Sequence, residues 1–513
     1  MKTYISVAAS IAVAGTILAS CGSSDSDNST ITGSSDVKFT GISTPIGDEQ
    51  KELRSSVEVT VGGETQSIGF TKLMATNESN NGEIFGASKD YTDELITFED
   101  GSPYICNGTN DGVGSGLDFT SILQKNGKLY MVSQFECQVG SIYKAELEQD
   151  ATTGDLKVKD NSLEFVSQKE GFGGFVHCAG QTTPWQSHLG SEEYEPDARA
   201  VLEDTNATTG LTGNKYYDET VKFWKNDVSK ISPYYYGWTP EVTIDANGNA
   251  IYTKHYTLGR FSHELSYVMP DKKTVYMSDD GTNVAIFKFV ASTAEDLSAG
   301  TLYAAKWAQT SATNGGAANI SWIKLGSSTN TALEAIVNPD GDIATNDAPK
   351  FTDIFESADA TEGSCPTGYT SINTSAYHEC LKVKSGMETA AAFLESRRYA
   401  ALKGATTEFR KMEGITYSPE NKKLFIAMSA LERGMEDNKK GSEADTKYDE
   451  GGNNDIKVDY NYCGAVYALD VDDNMNASTM SAIPALIGEM IEKDAEGNSC
   501  HLDKISNPDN VTF

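Results

Sequence analysis

Past residue 20 the sequence has no run of about 18 apolar residues, the length a helix needs to cross a bilayer, so no later segment reads as a membrane span. Positive charge is also scarce: 41 Lys and Arg stand against 74 Asp and Glu, a formal net charge of −33. A chain this acidic is repelled by phosphate backbones and anionic headgroups, which excludes nucleic-acid binding and adsorption to anionic lipid. The short catalytic motifs are missing too, since there is no His-Glu-x-x-His, Gly-x-Ser-x-Gly or Cys-x-x-Cys. "GVGSG" (112–116) is followed by no strand-to-helix pattern of a phosphate loop. "DVDDN" and "DGDIATND" lack the glycine and terminal glutamate of an EF-hand.

What the N-terminus contains is a secretory signal. Lys2 precedes an apolar run ending in Leu18-Ala19-Ser20-Cys21, the pattern of a lipoprotein cleavage site, so residues 1–20 are expected to be removed and Cys21 lipidated. Residues 21–36 are Gly/Ser/Asp-rich and read as a flexible tether, leaving 37–513 as the folded domain. The expected location is the bacterial cell envelope, lipid-anchored on the periplasmic or cell-surface side. Seven further cysteines remain. Proximity pairs Cys106 with Cys137, Cys365 with Cys380, and Cys463 with Cys500, although sequence alone leaves the connectivity open. On that pairing Cys178 is the odd thiol.

The 46 Gly, 24 Tyr and 19 Phe accompany many short aromatic or β-branched runs bounded by Asn, Asp and Gly, an all-β signature. From about residue 127 these runs read as hairpins, among them "EVTIDANGNAIYTKHYTL" with Asn247-Gly248 at its tip. An internal repeat selects among β architectures. "HELSYVMPDKKTVYMSDD" (263–280) and "MEGITYSPENKKLFIAMS" (412–429) share one plan, and in both a glutamate precedes the Pro-acid turn by six residues: Glu264 before Pro270, Glu413 before Pro419. Hairpins with a turn at a fixed offset are how propeller blades look in sequence, and equivalent positions then converge on the axis. A β-propeller is the expected fold, with a pair of β-sandwiches as the competitor. Insertions interrupt it at 195–230, 327–385 and 432–462, and 386–404 has the spacing of a helix. By the repeat, the Pro-Asp turn at 508–509 should lead into one more strand, so the last blade is expected to be incomplete.

The candidate chemistry lies in carboxylates placed in strand contexts, where burial is costly unless they are paired or bind metal. These are Glu264 and Glu413, Asp279 and Asp280 closing "TVYMSDD", and Glu192 and Glu193 after the Pro184-Trp185 turn. Taken singly, each is better explained by a solvated strand end or a surface ion pair. The repeat places Glu264 and Glu413 at equivalent positions, and the unpaired Cys178 lies near Glu193. A thiolate among carboxylates is a mixed soft and hard ligand set, suited to iron or another transition metal beside calcium. By strand alternation Glu193 shares a face with the ligands and Glu192 does not. His177 and His263 point away from them and read as supporting histidines. Arg260 and Lys411 lie near Glu264 and Glu413, where cations would suit an anionic substrate such as a phosphate ester.

"HCAGQTTPWQSHLGSEE", "LGRFSHELSYVMPDKKTVYMSDD", "FKFV", "LSAGTLYAAKW" and "FRKMEGITYSP" occur in the order and rough spacing of the PhoX-type alkaline phosphatases, a family of secreted bacterial phosphomonoesterases that this chain resembles from about Met131 to its end. The resemblance implies a β-propeller whose axial site holds two irons, one bound by cysteine, with calcium ions. Carried over by position, it makes Cys178 the iron-binding thiol and Glu193, Glu264 and Glu413 bridging or terminal carboxylates. Asp280 joins the expected metal set, and Glu241 in "YGWTPEVTID" matches a further family glutamate. Lys411-Met412 stands where the family tends to have Arg-Pro. The implied reaction is hydrolysis of small phosphate esters. Clustered cations hold the phosphate oxygens, a metal-bound oxide or hydroxide attacks phosphorus in line, and the metals or Lys411 stabilise the leaving alkoxide. A monomer is expected. The alternatives are a non-catalytic propeller lipoprotein and a related metallo-hydrolase acting on diesters or lactones.

Overall fold

The computed structural model describes residues 37–43, 45–106 and 114–513; the signal segment, the tether and Cys21 lie outside the described residues. The chain separates into two compact units. Of the described residues, 37–43, 45–73, 149–157 and Phe513 belong to the smaller, and 74–106, 114–148 and 158–512 to the larger. In the smaller unit Val37–Phe39, Glu58–Val61 and Glu64–Ser67 form an antiparallel sheet. Its hairpin turns at Gly62-Gly63, both with positive φ, a conformation that suits a two-residue turn to the strand twist.

The larger unit is all-β and built of meanders. A four-stranded sheet runs Gln181–Thr182, His188–Leu189, Thr239–Ile244, Ala250–His255, in chain order. A nine-stranded sheet begins with His263–Val268, Thr274–Asp279, Phe287–Thr293, Asp296–Ser311 and Ala317–Thr329. It continues through Thr479–Ile487, Ala465–Asp470 and Lys423–Met428 to Met412–Ser418. This sheet is therefore two meanders joined at their outer strands, with a copy of the sequence repeat at each end. The two end strands lie against each other, so the sheet nearly closes on itself. That is the propeller arrangement the repeat predicts, with the first strand of each blade innermost. Tyr276, Ile286, Trp307, Ile415, Leu424, Ile426 and Tyr467 fill the core between these meanders. Each such burial stabilises the fold by about 1.5–3 kcal/mol.

Cys106–Cys137, Cys365–Cys380 and Cys463–Cys500 are disulfides, and Cys178 is the free cysteine among the described residues. One local expectation changes. Residues 386–404 form two helices, Glu388–Leu394 and Ser396–Leu402, and not one. The break is at Glu395, which leaves helical geometry while its carboxylate accepts from Tyr234 at 2.9 Å and Arg398 at 2.9 Å. These are strong buried bonds, and they outweigh the propensity of one residue to continue a helix.

A buried histidine links this architecture to pH. His188 lies between Ser121 Oγ at 3.0 Å and Gln134 Oε1 at 2.9 Å, with its ring stacked on Phe119. Burial pushes its pKa from 6.5 down to about 3. Below pH 6.5 the unfolded chain takes up a proton that the folded chain cannot, so stability is lost as pH falls from about 6.5 toward 3. Urea unfolding at pH 7 and pH 5 should show a loss for the wild type that exceeds the loss for His188→Asn by roughly 2 kcal/mol. Equal losses would show that another group carries the acid sensitivity.

Candidate metal centre

Both copies of the repeat break register at the same place. The pairing slips between His263 and Ser266 in one hairpin and between Met412 and Ile415 in the other. Each slip is a β-bulge containing the glutamate, Glu264 or Glu413, and a bulge re-aims side chains that regular alternation would send elsewhere. Both glutamates are buried. The residue ending each hairpin is equivalent as well: Asp280 donates its N–H to the Ser262 carbonyl, and Ser429 donates to that of Lys411. Asp280 is thereby presented beside Glu264, and Ser429 donates its hydroxyl to Glu413.

Glu193 is positioned through Glu192. The Glu192 carboxylate lies 2.8 Å from buried Lys254 and accepts from the amides of Gly237 at 2.9 Å and Trp238 at 3.1 Å. That grip turns Glu193 the opposite way, toward Cys178. The segment bearing Cys178 is equally confined. His177 contacts the Ser191 carbonyl at 3.0 Å and Gln168 Oε1 at 2.7 Å, which occupies both ring nitrogens. His263 contacts the Gly259 carbonyl at 2.9 Å and Thr239 at 3.3 Å. Both rings are spent on positioning, as supporting histidines would be.

Three groups of ligand atoms result, each with its members within 4.8 Å of one another: Cys178, Glu193 and Glu264; Glu264, Glu413 and Asp509; Asp118, Glu136 and Cys178. Two donors on one metal ion, each about 2.0–2.5 Å from it, lie at most about 5 Å apart, so this spacing suits shared cations. Cys178 and Glu264 each belong to two groups and join the three into one site. Lys411 Nζ lies at its edge, 2.7 Å from Asp280 and 3.0 Å from Glu413, with its side chain 29% exposed.

The electrostatics favour cations strongly. Burial, then Glu264 and Asp280, holds Glu193 well above the usual carboxylate range; burial, then Glu413 and Asp280, does the same to Glu264. Burial and Asp280 raise Glu413 against the pull of Lys411, and burial with Glu136 and Asp509 pushes Asp118 up to about 7. Burial and then Glu264 and Glu193 push the Cys178 thiol up. Burial works against the Lys411 ammonium, but Asp280 and Glu413 outweigh it and raise its pKa. Acids this close cannot all ionise unaided, and multivalent cations would supply the missing charge. The donor set therefore fits a metal centre: carboxylates for hard ions and one thiol for a softer one.

Three expected site residues are placed otherwise than as metal ligands or a phosphate contact. Asp280 stands outside the three groups, its Oδ2 2.7 Å from Lys411 Nζ. Arg260 is buried, and its guanidinium donates to the carbonyls of Tyr236, Leu394, Pro196 and Pro233, so it has no fork to offer a phosphate. Glu241 stands outside the three groups; its oxygens accept from Trp185 Nε1 at 2.7 Å and Ser187 Oγ and lie 2.7 Å from His255 Nε2. Asp118, Glu136 and Asp509 were not expected. Glu136 was findable, being a carboxylate in the strand "KLYMVSQFEC", the same strand context that selects Glu264. Asp509 reaches the site because Gly414 lets the chain pass: a Cβ there would lie 3.0 Å from both the Asp509 carbonyl and the Val511 nitrogen.

Fold and site together define an all-β protein with an acidic, thiol-containing pocket suited to metal ions. The profile of the family described as Alkaline phosphatase PhoX matches residues 47–513, and the chain belongs to that family. Among solved structures it is similar to Pseudomonas fluorescens PhoX in complex with vanadate, a transition state analogue. The identity is 16%, the TM-score 0.44, and the match covers 77% of this chain and 71% of that one. It is more distantly similar to two putative 6-phosphogluconolactonases. The one from Bacteroides uniformis is 10% identical with a TM-score of 0.25, covering 74% and 75% of the chains. The one from Bacteroides fragilis is 10% identical with a TM-score of 0.25, covering 75% and 84%. No curated protein matches.

Proposed function

We propose that this protein is a metal-dependent phosphomonoesterase that releases phosphate from exogenous esters, with iron and calcium in the site and a lipid anchor at Cys21. The observation carrying the reading is the linked cage of Cys178, Glu193, Glu264, Glu413 and Asp509, with Lys411 at its rim. Cys178 and the carboxylates of Glu193 and Glu264 would hold iron; Glu264, Glu413 and Asp509 offer oxygen ligands for calcium. When bound, such cations supply Lewis-acid activation of water and neutralise charge on the phosphoryl oxygens. The chain's own part is placement. Asp280 and Glu413 hold the Lys411 ammonium charged and aimed at the opening, where it meets a phosphoryl oxygen or the departing alkoxide. Glu192, clamped by Lys254, keeps Glu193 in place. No side-chain nucleophile is needed.

The test is metal analysis of the protein matured in the periplasm, together with hydrolysis of a chromogenic phosphomonoester at alkaline pH. Iron and calcium should be present with activity, and Cys178→Ala should lose its iron and at least about a hundredfold in kcat/KM. A protein free of both metals and inactive, or a Cys178→Ala variant retaining iron and activity, would overturn the reading. Preference for a diester or a lactone would move it to a related hydrolase. The anchor is tested separately by metabolic lipid labelling, which Cys21→Ser should abolish.

A further inference from the structure

The opening of the cage carries two aromatic rings that this chemistry leaves unused. Tyr194 directly follows Glu193, is 42% exposed and adopts a left-handed φ of 50°, uncommon for a bulky residue and found where surroundings enforce it. Its amide donates to Ser262 Oγ at 2.9 Å. Tyr216 comes from the polar insertion at 195–230. It stands on the short helix Lys215–Asp218, capped by Asn214, where the next residue, Tyr217, is buried and anchors the turn. Tyr216 therefore projects outward, 45% exposed. The rings meet edge to face with centroids 5.8 Å apart at 70°. The pair is tied to the cage through Tyr194, whose neighbour in the chain is Glu193 and whose ring Tyr216 packs against.

A phosphoryl group held between the cage and Lys411 must direct its leaving group outward, into this opening. We infer that Tyr216, backed by Tyr194, forms the leaving-group subsite, and that it favours monoesters whose leaving group ends in a planar aromatic ring, nucleoside or aryl monophosphates, over those of small aliphatic alcohols. The inference rests on the phosphomonoesterase reading. Its physical basis is that an exposed ring edge-packed by a second ring is preorganised for stacking. An aromatic base gains affinity there that glycerol cannot, and neither ring demands a particular hydrogen-bond pattern.

The test compares 5′-AMP and glycerol 3-phosphate on the metal-loaded, full-length protein. Tyr216→Ala should lower kcat/KM for AMP about tenfold while changing glycerol 3-phosphate less than about twofold, and Tyr216→Phe should keep both. Equal losses on the two esters, or none, would overturn the subsite. A wild type that hydrolyses neither would defeat the phosphatase reading alone. The subsite is then decided by binding: AMP affinity should fall about tenfold in Tyr216→Ala, and unchanged affinity would overturn it.

Discussion

Glu264→Gln should lower kcat/KM for a phosphomonoester by roughly a thousandfold or more, the largest loss expected of any single carboxylate here. Glu264 is the carboxylate shared between the group with Cys178 and Glu193 and the group with Glu413 and Asp509. An amide offers one neutral oxygen where a carboxylate offers two charged ones, so the change weakens both groups at once. The stability effect should reverse with metal content. In the metal-free protein, burial and the neighbouring Glu413 and Asp280 hold Glu264 far above its unfolded pKa. Its contribution to stability is then fully present below about pH 4.5 and is lost as pH rises toward the folded value. Glu264→Gln removes that loss, so the chelated variant should unfold at a higher temperature than the chelated wild type at pH 8, with the gap closing at pH 4. In the loaded protein the order should invert, because ligand binding stabilises by linkage and the variant binds less. Thermal unfolding with and without chelator checks both signs. A variant less stable than the wild type in both states would mean that Glu264 is only a packing residue.

Which parts of this site were legible in the sequence follows from how local their causes are. Glu264 and Glu413 were readable as a pair because the repeat carries its bulge with it, so equal spacing to the turn became equal placement in space. Cys178 was readable by parity, and the three disulfides hold the partners that proximity suggests. Glu192 and Glu193 do face opposite ways, but they lie beyond the strand His188–Leu189, and what holds them is not alternation but the buried Lys254, which no pattern revealed. Arg260 and Lys411 looked alike in sequence, each a few residues before a glutamate. Burial separates them: Arg260 is enclosed by four carbonyls, and Lys411 opens onto the site. Asp118 and Asp509 were invisible because they come from strand and tail segments distant in sequence, and only closure of the sheets around the axis brings them to Cys178 and Glu264.

The second large effect lies just behind the cage, where the charge logic runs the other way. Arg397→Ala should destabilise the fold by about 3–5 kcal/mol, the usual cost of removing one partner from a buried ionic network. Arg397 is buried, with Nε 2.8 Å from Asp279 Oδ2 and Nη1 2.8 Å from Ser375 Oγ, and the same guanidinium pairs with Glu195 at 2.5 Å. Without it Asp279 is left buried: burial already pushes that carboxyl up to about 6 against the pull of Arg397. Arg397→Lys should recover only part of the loss, since one ammonium cannot reproduce a planar fork spanning two carboxylates. Adding Asp279→Asn to Arg397→Ala should recover more than additivity predicts, because it removes the stranded charge. Urea unfolding of the wild type, the Arg397→Ala and Asp279→Asn single variants and the double variant measures this, and a strictly additive double variant would show that the pair is not coupled. Activity should fall with Arg397→Ala even where the protein stays folded. Asp279 is the last residue of its strand and Asp280, which aims Lys411, is the next. The cation–carboxylate network thus fixes the strand end from which a carboxylate is presented to the cage, and its loss should be read in kcat/KM before it is read in metal content.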